Sequence, residues 1–511
     1  MTHWRRISNF ALALALASSL GAAVGSRPAA AEATGTAGTA AAAGTAEATG
    51  TVAAASSAGA DIRTRIEAIP GVTVVSDRTV ALGYRQFILT FRQPNDHRDP
   101  GRGSFAQRIN LMHLDVDLPT VLYTSGYGVS TGTSRSEPTR LLGGNQISLE
   151  HRFFVPSRPS PTDWRDLNIW QAASDQHRVV EAFKPIYASK WISTGASKGG
   201  MTAVYHRRFF PDDVDGTVAY VAPNDVVNKE DSAYDAFFAS VGTDPVCRAD
   251  LSNLQAEALR RRGELVPRFE TYATTNGFTF TSIFGTADVA FEMLVMDTVW
   301  AFWQYLGQAW CSSVPKTGAA TDDIWDFLDD VAGFTFYTDQ GLTPYAPYYY
   351  QAATQLGSPA LKFRHLRGLL RYPGAYDAAN WVPRDIPVGR FEPQVMRHVD
   401  NWVRHDGSEL MFVYGERDPW GSEPFRLGPG TRDSFVFKAS GANHGANIAG
   451  LTGADGAVAT AALLRWATPD SSVESGQGPS SRAGKRLPVR GFRTELDERC
   501  VADGDPRACR H

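Results

Sequence analysis

Residues 191–201 of the chain are WISTGASKGGM, a stretch that decides how the rest of the sequence is interpreted. A short apolar segment typical of a buried strand leads into Gly-x-Ser-x-Gly, and helical apolar spacing follows as far as Pro211. A serine in such a strand–turn–helix takes a strained backbone conformation that projects its hydroxyl above the sheet. Gly195 and Gly199 let the strand and the helix approach closely. The stretch therefore predicts that Ser197 is a nucleophile.

The same motif occurs a second time, as GVSTG at residues 128–132. Ser130 also follows a predicted strand, at 120–124, but Ser, Thr and Gly residues come next instead of a helix. No helix dipole would then act on this serine. We interpret Ser130 as a loop residue.

The length, composition and net charge of the chain limit the domain organisations and functions that fit it. The 511 residues are 43% hydrophobic and 11% aromatic, which supports a large core, with room for one large domain with insertions or for two to three ordinary ones. The formal net charge of −4 argues against a nucleic-acid-binding surface.

The N-terminal region is typical of a targeting segment. Residues 1–33 combine Arg5 and Arg6 with an apolar run at 10–24 and small residues before position 34, as in a signal peptide. Because the apolar run is short and rich in alanine, a membrane anchor is the less favoured alternative. We expect a secreted, extracellular protein with no nucleic-acid partner and no stable membrane association after cleavage. Either general or twin-arginine export fits the sequence.

The remaining segments predict an α/β-hydrolase fold with an inserted, mainly helical cap. An apparent hairpin is followed by alternating strands and helices, the layout typical of that fold. The predicted organisation is an Ala/Gly/Thr-rich linker or pro-segment at 34–60, a hydrolase domain at 61–223 and 406–468, a cap at 224–405, and a polar tail at 469–511. A separate domain in place of the cap is disfavoured because the sheet is still incomplete at residue 224.

Two later strands end in loops that carry an acid and a base. Asp418 follows the predicted strand at 409–414, and His444 follows the one at 434–438. The carboxyl ends of strands line the active sites of open α/β sheets, and the chain order Ser, Asp, His is the one expected here. A serine hydroxyl needs an imidazole to accept its proton and a carboxylate to orient that imidazole. Ser197, His444 and Asp418 are thus predicted as a catalytic triad.

An oxyanion hole requires two further donors. One is expected to be the backbone amide of Lys198, directly after the nucleophile. The other is expected from the loop after the strand at 120–124, where the amide of Tyr127 or Gly128 is the candidate. A simple glycine turn is the alternative for either residue.

Four segments carry a more specific resemblance: GASKGGMTA at 195–203, GNQISLEHRFF at 144–154, YGERDPW at 414–420 and GANHG at 441–445. With them, residues 61–467 resemble the secreted bacterial prolyl tri/tetrapeptidyl aminopeptidases, which are serine peptidases of the α/β-hydrolase clan. The resemblance implies release of tri- or tetrapeptides from free N-termini, with cleavage favoured after proline. Neither property follows from spacing or composition.

Candidate substrate contacts follow from that implied activity. A proline pocket should be aromatic and poor in donors, so the cap residues Phe302, Trp303, Tyr305 and Trp310 are candidates for its lining, although such an aromatic stripe is more often part of the core. Trp420 is a further substrate-binding candidate. A buried carboxylate should pair with the substrate's α-ammonium group. Glu150 is the first candidate for it, with a salt bridge to Arg152 or a cap arginine as the alternative. The next candidates are Glu292 and Asp288.

The even number of cysteines in an exported chain suggests disulfides. The simplest scheme pairs Cys247 with Cys311 and Cys500 with Cys509. No Cys/His spacing indicates a metal site and no glycine-rich phosphate loop follows a strand, so we expect neither metal nor cofactor. Two other functions remain open: a secreted esterase or lipase, and a non-catalytic binding protein of the same fold.

Overall fold

The computed structural model of the chain describes residues 61–468. The predicted signal peptide (1–33), linker (34–60) and polar tail (469–511), the last with Cys500 and Cys509, lie outside the described residues. Within residues 61–468, no helix has the length and apolar character needed to cross a membrane.

A nine-stranded mixed sheet forms the centre of the described part of the chain, in the order β1-β2-β3-β5-β4-β6-β7-β8-β9. The strands are β1 Val72–Thr79, β2 Arg85–Pro94, β3 Ser104–His113, β4 Thr120–Thr124, β5 Asn145–Leu149, β6 Trp191–Ala196, β7 Gly216–Tyr220, β8 Leu410–Gly415 and β9 Phe435–Ala439. The pairs β1/β2, β2/β3 and β3/β5 are antiparallel, and all later pairs are parallel. The predicted hairpin is confirmed as β2/β3. The antiparallel start and parallel remainder are those of the α/β-hydrolase fold.

Helices surround the sheet and fill the insertion between β7 and β8. They are α1 Ile62–Glu67, α2 Glu137–Leu142, α3 Ile169–Phe183, α4 Lys198–Phe209, α5 Ser232–Ser240, α6 Pro245–Arg260, α7 Arg262–Thr275, α8 Ala287–Ala301, α9 Thr321–Val331, α10 Asp339–Leu342, α11 Ala346–Gln351, α12 Gln394–His405 and α13 Asp455–Ala467.

Both faces of the sheet are buried, as the alternation along β8 illustrates. Leu410 and Phe412 pack with α3, α4 and α12 on one face. Met411 and Val413 pack with α13 on the other. Successive strand residues point to opposite faces, so an uninterrupted apolar strand such as β8 requires helices on both sides.

The insertion is a helical unit with its own core. That core is drawn from residues between Val241 and Trp381, and the disulfide Cys247–Cys311 lies within it with a Cα–Cα distance of 5.2 Å. Helix α12 belongs elsewhere: its buried face packs against α4 and the sheet. Residues Gln394–His405, which were expected within the cap at 224–405, therefore repeat the helix-on-sheet packing of the main domain.

Candidate active site

Ser197 lies between the end of β6 and the start of α4. Its backbone has φ 56° and ψ −128°, a region that non-glycine residues rarely adopt. A Cβ atom at Gly195 would lie 2.3 Å from the carbonyl oxygen of Gly199, and one at Gly199 would lie 2.4 Å from that of Thr124. Glycine is therefore required at both positions for strand and helix to meet at the serine.

Asp418 and His444 form a hydrogen-bonded pair at the carboxyl ends of β8 and β9. His444 Nδ1 lies 2.8 Å from Oδ2 of Asp418, and the Asp418 carboxylate is buried. Oδ1 of Asp418 accepts a hydrogen bond from the backbone N–H of Trp420 at 3.1 Å. When the N–H at Nδ1 donates a hydrogen bond to the carboxylate, Nε2 is unprotonated and is the acceptor that a general base needs.

The parallel sheet brings these two residues to the same edge as Ser197. The indole of Trp420 lines the same cavity as Ser197, and its ring centroid lies 6.4 Å from that of the His444 ring. Among the described residues no hydrogen bond joins Ser197 to His444; the serine hydroxyl interacts with the phenol of Tyr127 instead. The loops after β8 and β9 thus hold the Asp418–His444 pair together, while the serine hydroxyl is engaged by a tyrosine.

Tyr127 meets the nucleophile through its side chain. Its backbone N–H donates to Ser125 Oγ at 3.1 Å and is therefore engaged within its own loop. The phenol lies beside Ser197 and the backbone amide of Lys198, and these hydrogen-bonding groups oppose the strong rise in its pKa that burial causes. The backbone N–H of Tyr127, an expected oxyanion donor, is thus already hydrogen-bonded to Ser125. The hydroxyl of Tyr127 instead reaches the region where an oxyanion would form.

The side chain of Lys198 connects the nucleophile turn to the same loop. Lys198 is buried, and its Nζ donates to the carbonyl oxygen of Gly126 at 2.7 Å. Nζ also lies 5.8 Å from the ring centroid of Tyr127 and 5.7 Å from that of Phe154. Burial holds the pKa of this amine well below its ordinary value. The contacts fix the position of Tyr127 relative to Ser197.

Glu150 is buried away from the Ser197 cavity. Its Oε2 pairs with Arg108 and accepts from the N–H of Val129 at 2.9 Å, and its Oε1 accepts from Ser157 Oγ at 2.8 Å. Arg152 pairs instead with Asp175. The carboxylate of Glu150 therefore holds the loop before Ser130 and is committed to internal partners. Gly128 packs beside it, since a Cβ atom there would lie 3.7 Å from Oε2.

The two cap residues that were the next candidates for the ammonium site are likewise paired with other residues of the chain. Glu292 is buried, pairs with Arg262 and accepts from the N–H groups of Arg371 and Tyr372 at 2.9 Å. Asp288 pairs with the same two arginines and accepts from the hydroxyl of Tyr372 at 2.7 Å. These two carboxylates connect cap segments to one another.

Two of the four aromatic residues predicted for the proline pocket lie in the cap core. Phe302 and Trp303 are buried within it and are absent from the lining of the Ser197 cavity. That cavity has about 350 Å³ of empty space between its lining residues, part of which is open to solvent. Its mainly apolar side chains include those of Pro223, Tyr234, Tyr348, Leu356, Pro359 and Trp420. Trp420, which was a substrate-binding candidate without an assigned pocket, does line the Ser197 cavity.

Asp225 also lines this cavity and was not singled out by the sequence. It lies shortly after β7, the strand next to β6, so its position at a strand's carboxyl end was a signal of the same kind as the one that identified Asp418. An Asp in a Pro-Asn-Asp segment also has an ordinary interpretation as a turn residue, which hid that signal.

Known proteins resemble this chain either in sequence or, more distantly, in structure alone. A protein of Streptomyces mobaraensis named prolyl tri/tetrapeptidyl aminopeptidase is 57% identical over 410 residues, covering 80% of this chain and 85% of that protein. Carboxyl esterase 2 of Tuber melanosporum (12% identity, 77% and 88% coverage, TM-score 0.30) and a peroxisomal α/β-hydrolase of Saccharomyces cerevisiae (10% identity, 78% and 94% coverage, TM-score 0.34) are distant structural likenesses. Residues 55–507 match the family described as PS-10 peptidase S37. The chain belongs to this family and is a serine peptidase.

Proposed function

We propose that this protein is a secreted serine exopeptidase that releases tri- or tetrapeptides from the free N-termini of peptides, preferentially after proline. The observation that carries the proposal is the cavity shared by Ser197 and Trp420, with the Asp418–His444 pair beside it. The activity named for the Streptomyces mobaraensis relative supports the substrate class.

In the proposed reaction, Ser197 Oγ attacks the carbonyl carbon of the residue before the scissile bond, and His444 Nε2 accepts the hydroxyl proton. The bond to the leaving amine breaks as His444 returns that proton to its nitrogen, leaving an ester between the released peptide and Ser197. Water then attacks the ester with His444 again as the base. The bond from the carbonyl carbon to Ser197 Oγ breaks as His444 returns the proton to that oxygen, and the peptide leaves as a carboxylic acid. Asp418 keeps Nδ1 protonated and stabilises the charged imidazole throughout.

Two donors converge on the developing oxyanion in this mechanism. One is the backbone N–H of Lys198, and the other is the hydroxyl of Tyr127, which lies beside that amide and Ser197. On substrate binding, the carbonyl oxygen takes the place of the phenol as the partner of the amide, and the phenol donates to it. Donors arranged in advance in a buried site are more effective than water because they need no reorganisation during the reaction.

Specificity for proline is proposed to come from the walls of the cavity. Proline presents an apolar ring and has no N–H to satisfy, so aromatic and aliphatic walls suit it. Pro223, Tyr348 and Trp420 supply such walls beside Ser197. Trp420 is held by its indole N–H, which donates to Oε1 of the cap residue Gln304 at 3.0 Å.

A comparison of three substrates tests the proposal: alanyl-alanyl-prolyl p-nitroanilide, its N-acetylated form and a short-chain p-nitrophenyl ester. We expect the free peptide amide to have the highest kcat/KM and to lose activity when alanine replaces proline. Preference for the ester, with no turnover of either amide, would indicate an esterase. No turnover of any substrate, with no labelling of Ser197 by a serine-directed phosphonate, would contradict an enzymatic role.

Secretion is tested separately. Expression of the full chain in an exporting bacterial host, followed by N-terminal sequencing of the protein in the medium, should give a start after the small residues at 29–33. A protein retained in the cells with residue 1 intact would contradict export.

A further inference from the structure

Two further acidic side chains, Asp231 and Glu423, lie close enough to Asp225 to repel its charge. Asp225 lines the cavity directly. The backbone N–H of Asn224 donates to the carbonyl oxygen of Glu423 at 2.8 Å, which joins the segment after β7 to the one after β8. Asp231 immediately precedes α5, and both it and Glu423 raise the pKa of Asp225 through charge repulsion. The three carboxyl groups therefore share one environment.

Two of the three acids, Asp225 and Asp231, lack a side-chain partner. Asp225 is 3% exposed and Asp231 is 4% exposed, yet neither carboxylate makes a hydrogen bond of normal geometry, and the nearest donors are the backbone amides of Ser358 and Ala360. The hydroxyl of Tyr234, which lines the same cavity, is also buried without a partner. No described Lys or Arg forms an ion pair with Asp225, Asp231 or Glu423. Buried acids normally have such partners, so the group is unusual.

Other buried acids of this protein make the contrast clear. Glu150 is paired with Arg108, Glu292 with Arg262, and Asp175 with Arg152. Each of these acids is neutralised by an arginine of the chain itself. Asp225, by contrast, faces the Ser197 cavity, and no described Lys or Arg forms an ion pair with it.

Electrostatics at the group favour that cation. Burial, with the repulsion of Glu423 and Asp231, raises the pKa of Asp225 to about 8, and burial raises that of Glu423 to about 7. The Ser358 amide opposes the shift at Asp225, and the Arg426 charge opposes that at Glu423. A bound positive charge would stabilise the ionised carboxylates, which the empty site disfavours.

The shape of the site suits an organic cation that enters with a peptide. Within residues 61–468, no set of three His, Cys, Asp or Glu side chains converges closely enough to hold a metal ion. A Cβ atom at Gly357 would lie 2.6 Å from Oδ2 of Asp225, so this glycine leaves room beside the carboxylate. Both Asp225 and Ser197 face the same cavity, which places an anchor and a nucleophile along one bound chain.

We propose that Asp225, supported by Glu423, Asp231 and the hydroxyl of Tyr234, binds the α-ammonium group of the substrate's N-terminal residue. This inference rests on the proposed exopeptidase function. Three extended residues span about 10 Å, so a fixed carboxylate in the cavity would set how many residues separate the N-terminus from Ser197. Glu150, Glu292 and Asp288 are thereby replaced in this role.

Neutral isosteric variants test the assignment: Asp225→Asn and Glu423→Gln, with Asp235→Asn as the matched control. Asp235 lies one helical turn beyond Asp231 on α5 and pairs with Lys362 outside the cavity. The control removes the same charge from the same region. Steady-state kinetics are measured with alanyl-alanyl-prolyl p-nitroanilide and its N-acetylated form.

Asp225→Asn should lower kcat/KM for the free peptide about 100-fold, mainly through KM, because a buried charge pair is lost. The acetylated substrate should change less than about threefold, since it carries no ammonium group. Glu423→Gln should shift the same ratio by a smaller factor, and Asp235→Asn should leave it unchanged. An unchanged ratio in both Asp225→Asn and Glu423→Gln would overturn the assignment.

Two further measurements separate binding from folding. In a Ser197→Ala background, calorimetry with the tripeptide alanyl-alanyl-proline should detect binding that acetylation or Asp225→Asn abolishes. Asp225→Asn should also raise the Tm of the unliganded protein at pH 8, because it removes an unpaired buried charge. A lower Tm together with an unchanged binding ratio would assign Asp225 a structural role.

The failure of this inference is distinguishable from failure of the proposed function. If the wild-type protein does not prefer the free peptide over its acetylated form, the exopeptidase proposal itself is wrong. If the wild-type preference is present and survives both substitutions, only the location of the ammonium site is wrong.

Discussion

The imidazole Nδ1 of His444 lies 2.8 Å from Oδ2 of the buried Asp418. This contact joins the loops after two neighbouring parallel strands, β8 and β9, and fixes the tautomer of the ring. Asp418→Asn would replace the carboxylate by an amide that can donate to Nδ1, which favours the wrong tautomer. We expect kcat to fall by about 10⁴-fold, as in other serine hydrolases, with Tm nearly unchanged. A residual kcat within about tenfold of wild type would exclude this pair from the triad.

Ser197 and Ser130 provide a matched pair of serines in the same motif. Ser197→Ala should abolish peptide hydrolysis and phosphonate labelling, whereas Ser130→Ala should retain both, because Ser130 Oγ only accepts from the N–H of Gly132 at 3.0 Å. Ser197→Gly should also be inactive, yet more stable than Ser197→Ala by about 1–3 kcal/mol, since glycine tolerates φ 56° without strain. Mass spectrometry of the labelled peptide and chemical denaturation check these outcomes. Labelling at Ser130 would reverse the assignment.

Tyr127→Phe isolates the contribution of the phenol beside Ser197. Removing the hydroxyl while keeping the ring should lower kcat by about 10²-fold, the usual effect of losing one oxyanion donor, with a small change in KM. The ring contacts with Phe154 and Tyr348 should preserve the loop and the Tm. An unchanged kcat would exclude the Tyr127 hydroxyl as the second oxyanion donor beside the Lys198 amide.

The proposed ammonium site predicts a pH dependence of substrate preference. In the free enzyme the pKa of Asp225 is about 8 and that of Glu423 about 7, so both carboxyl groups become neutral as the pH falls through this range. A neutral carboxyl attracts an ammonium group weakly, and binding of the free peptide should weaken with acidification. The N-acetylated peptide has no such dependence.

The measurement is the ratio of kcat/KM for the free and acetylated peptides between pH 6 and 8, so that a pH effect common to both substrates cancels. We expect the ratio to fall about tenfold from pH 8 to pH 6, given an α-amino pKa near 8. Other charged groups near the site are Glu230, Asp231, Asp235, Lys362 and Arg426. The double variant Asp225→Asn, Glu423→Gln should give a flat ratio. A wild-type ratio that is constant or rises on acidification would contradict the assignment.

The disulfide Cys247–Cys311 closes a loop with a sequence separation of 64 residues inside the cap. Replacing both cysteines by serine should lower the free energy of unfolding by about 4 kcal/mol through the greater chain entropy of the unfolded state. Non-reducing peptide mapping of the wild-type protein checks the pairing, and chemical denaturation with and without reductant checks its contribution. A stability of the wild-type protein that reductant does not alter would contradict the prediction.

Local patterns were sufficient to predict the nucleophile turn and every strand of the sheet except β1. The glycines around Ser197, the apolar run of β8 and the turn residues after it act over a few positions, so periodicity identified them. The order Ser, Asp, His then predicted that three strand ends meet. Edge strand β1 escaped prediction because its partly exposed residues lack clear apolar alternation.

The charge partners of the acidic residues and the cavities that they face, by contrast, were decided by the tertiary structure. Glu150 and Asp225 are both acids after buried strands, and the sequence favoured the first for substrate binding. Only the fold places Arg108 of β3 against Glu150 and leaves Asp225 beside Ser197 without a cation. The sequence by itself determined the chemistry available at the strand ends. Which charges are neutralised depends on contacts between residues far apart in the chain, since burial makes an unpaired carboxylate costly and therefore informative.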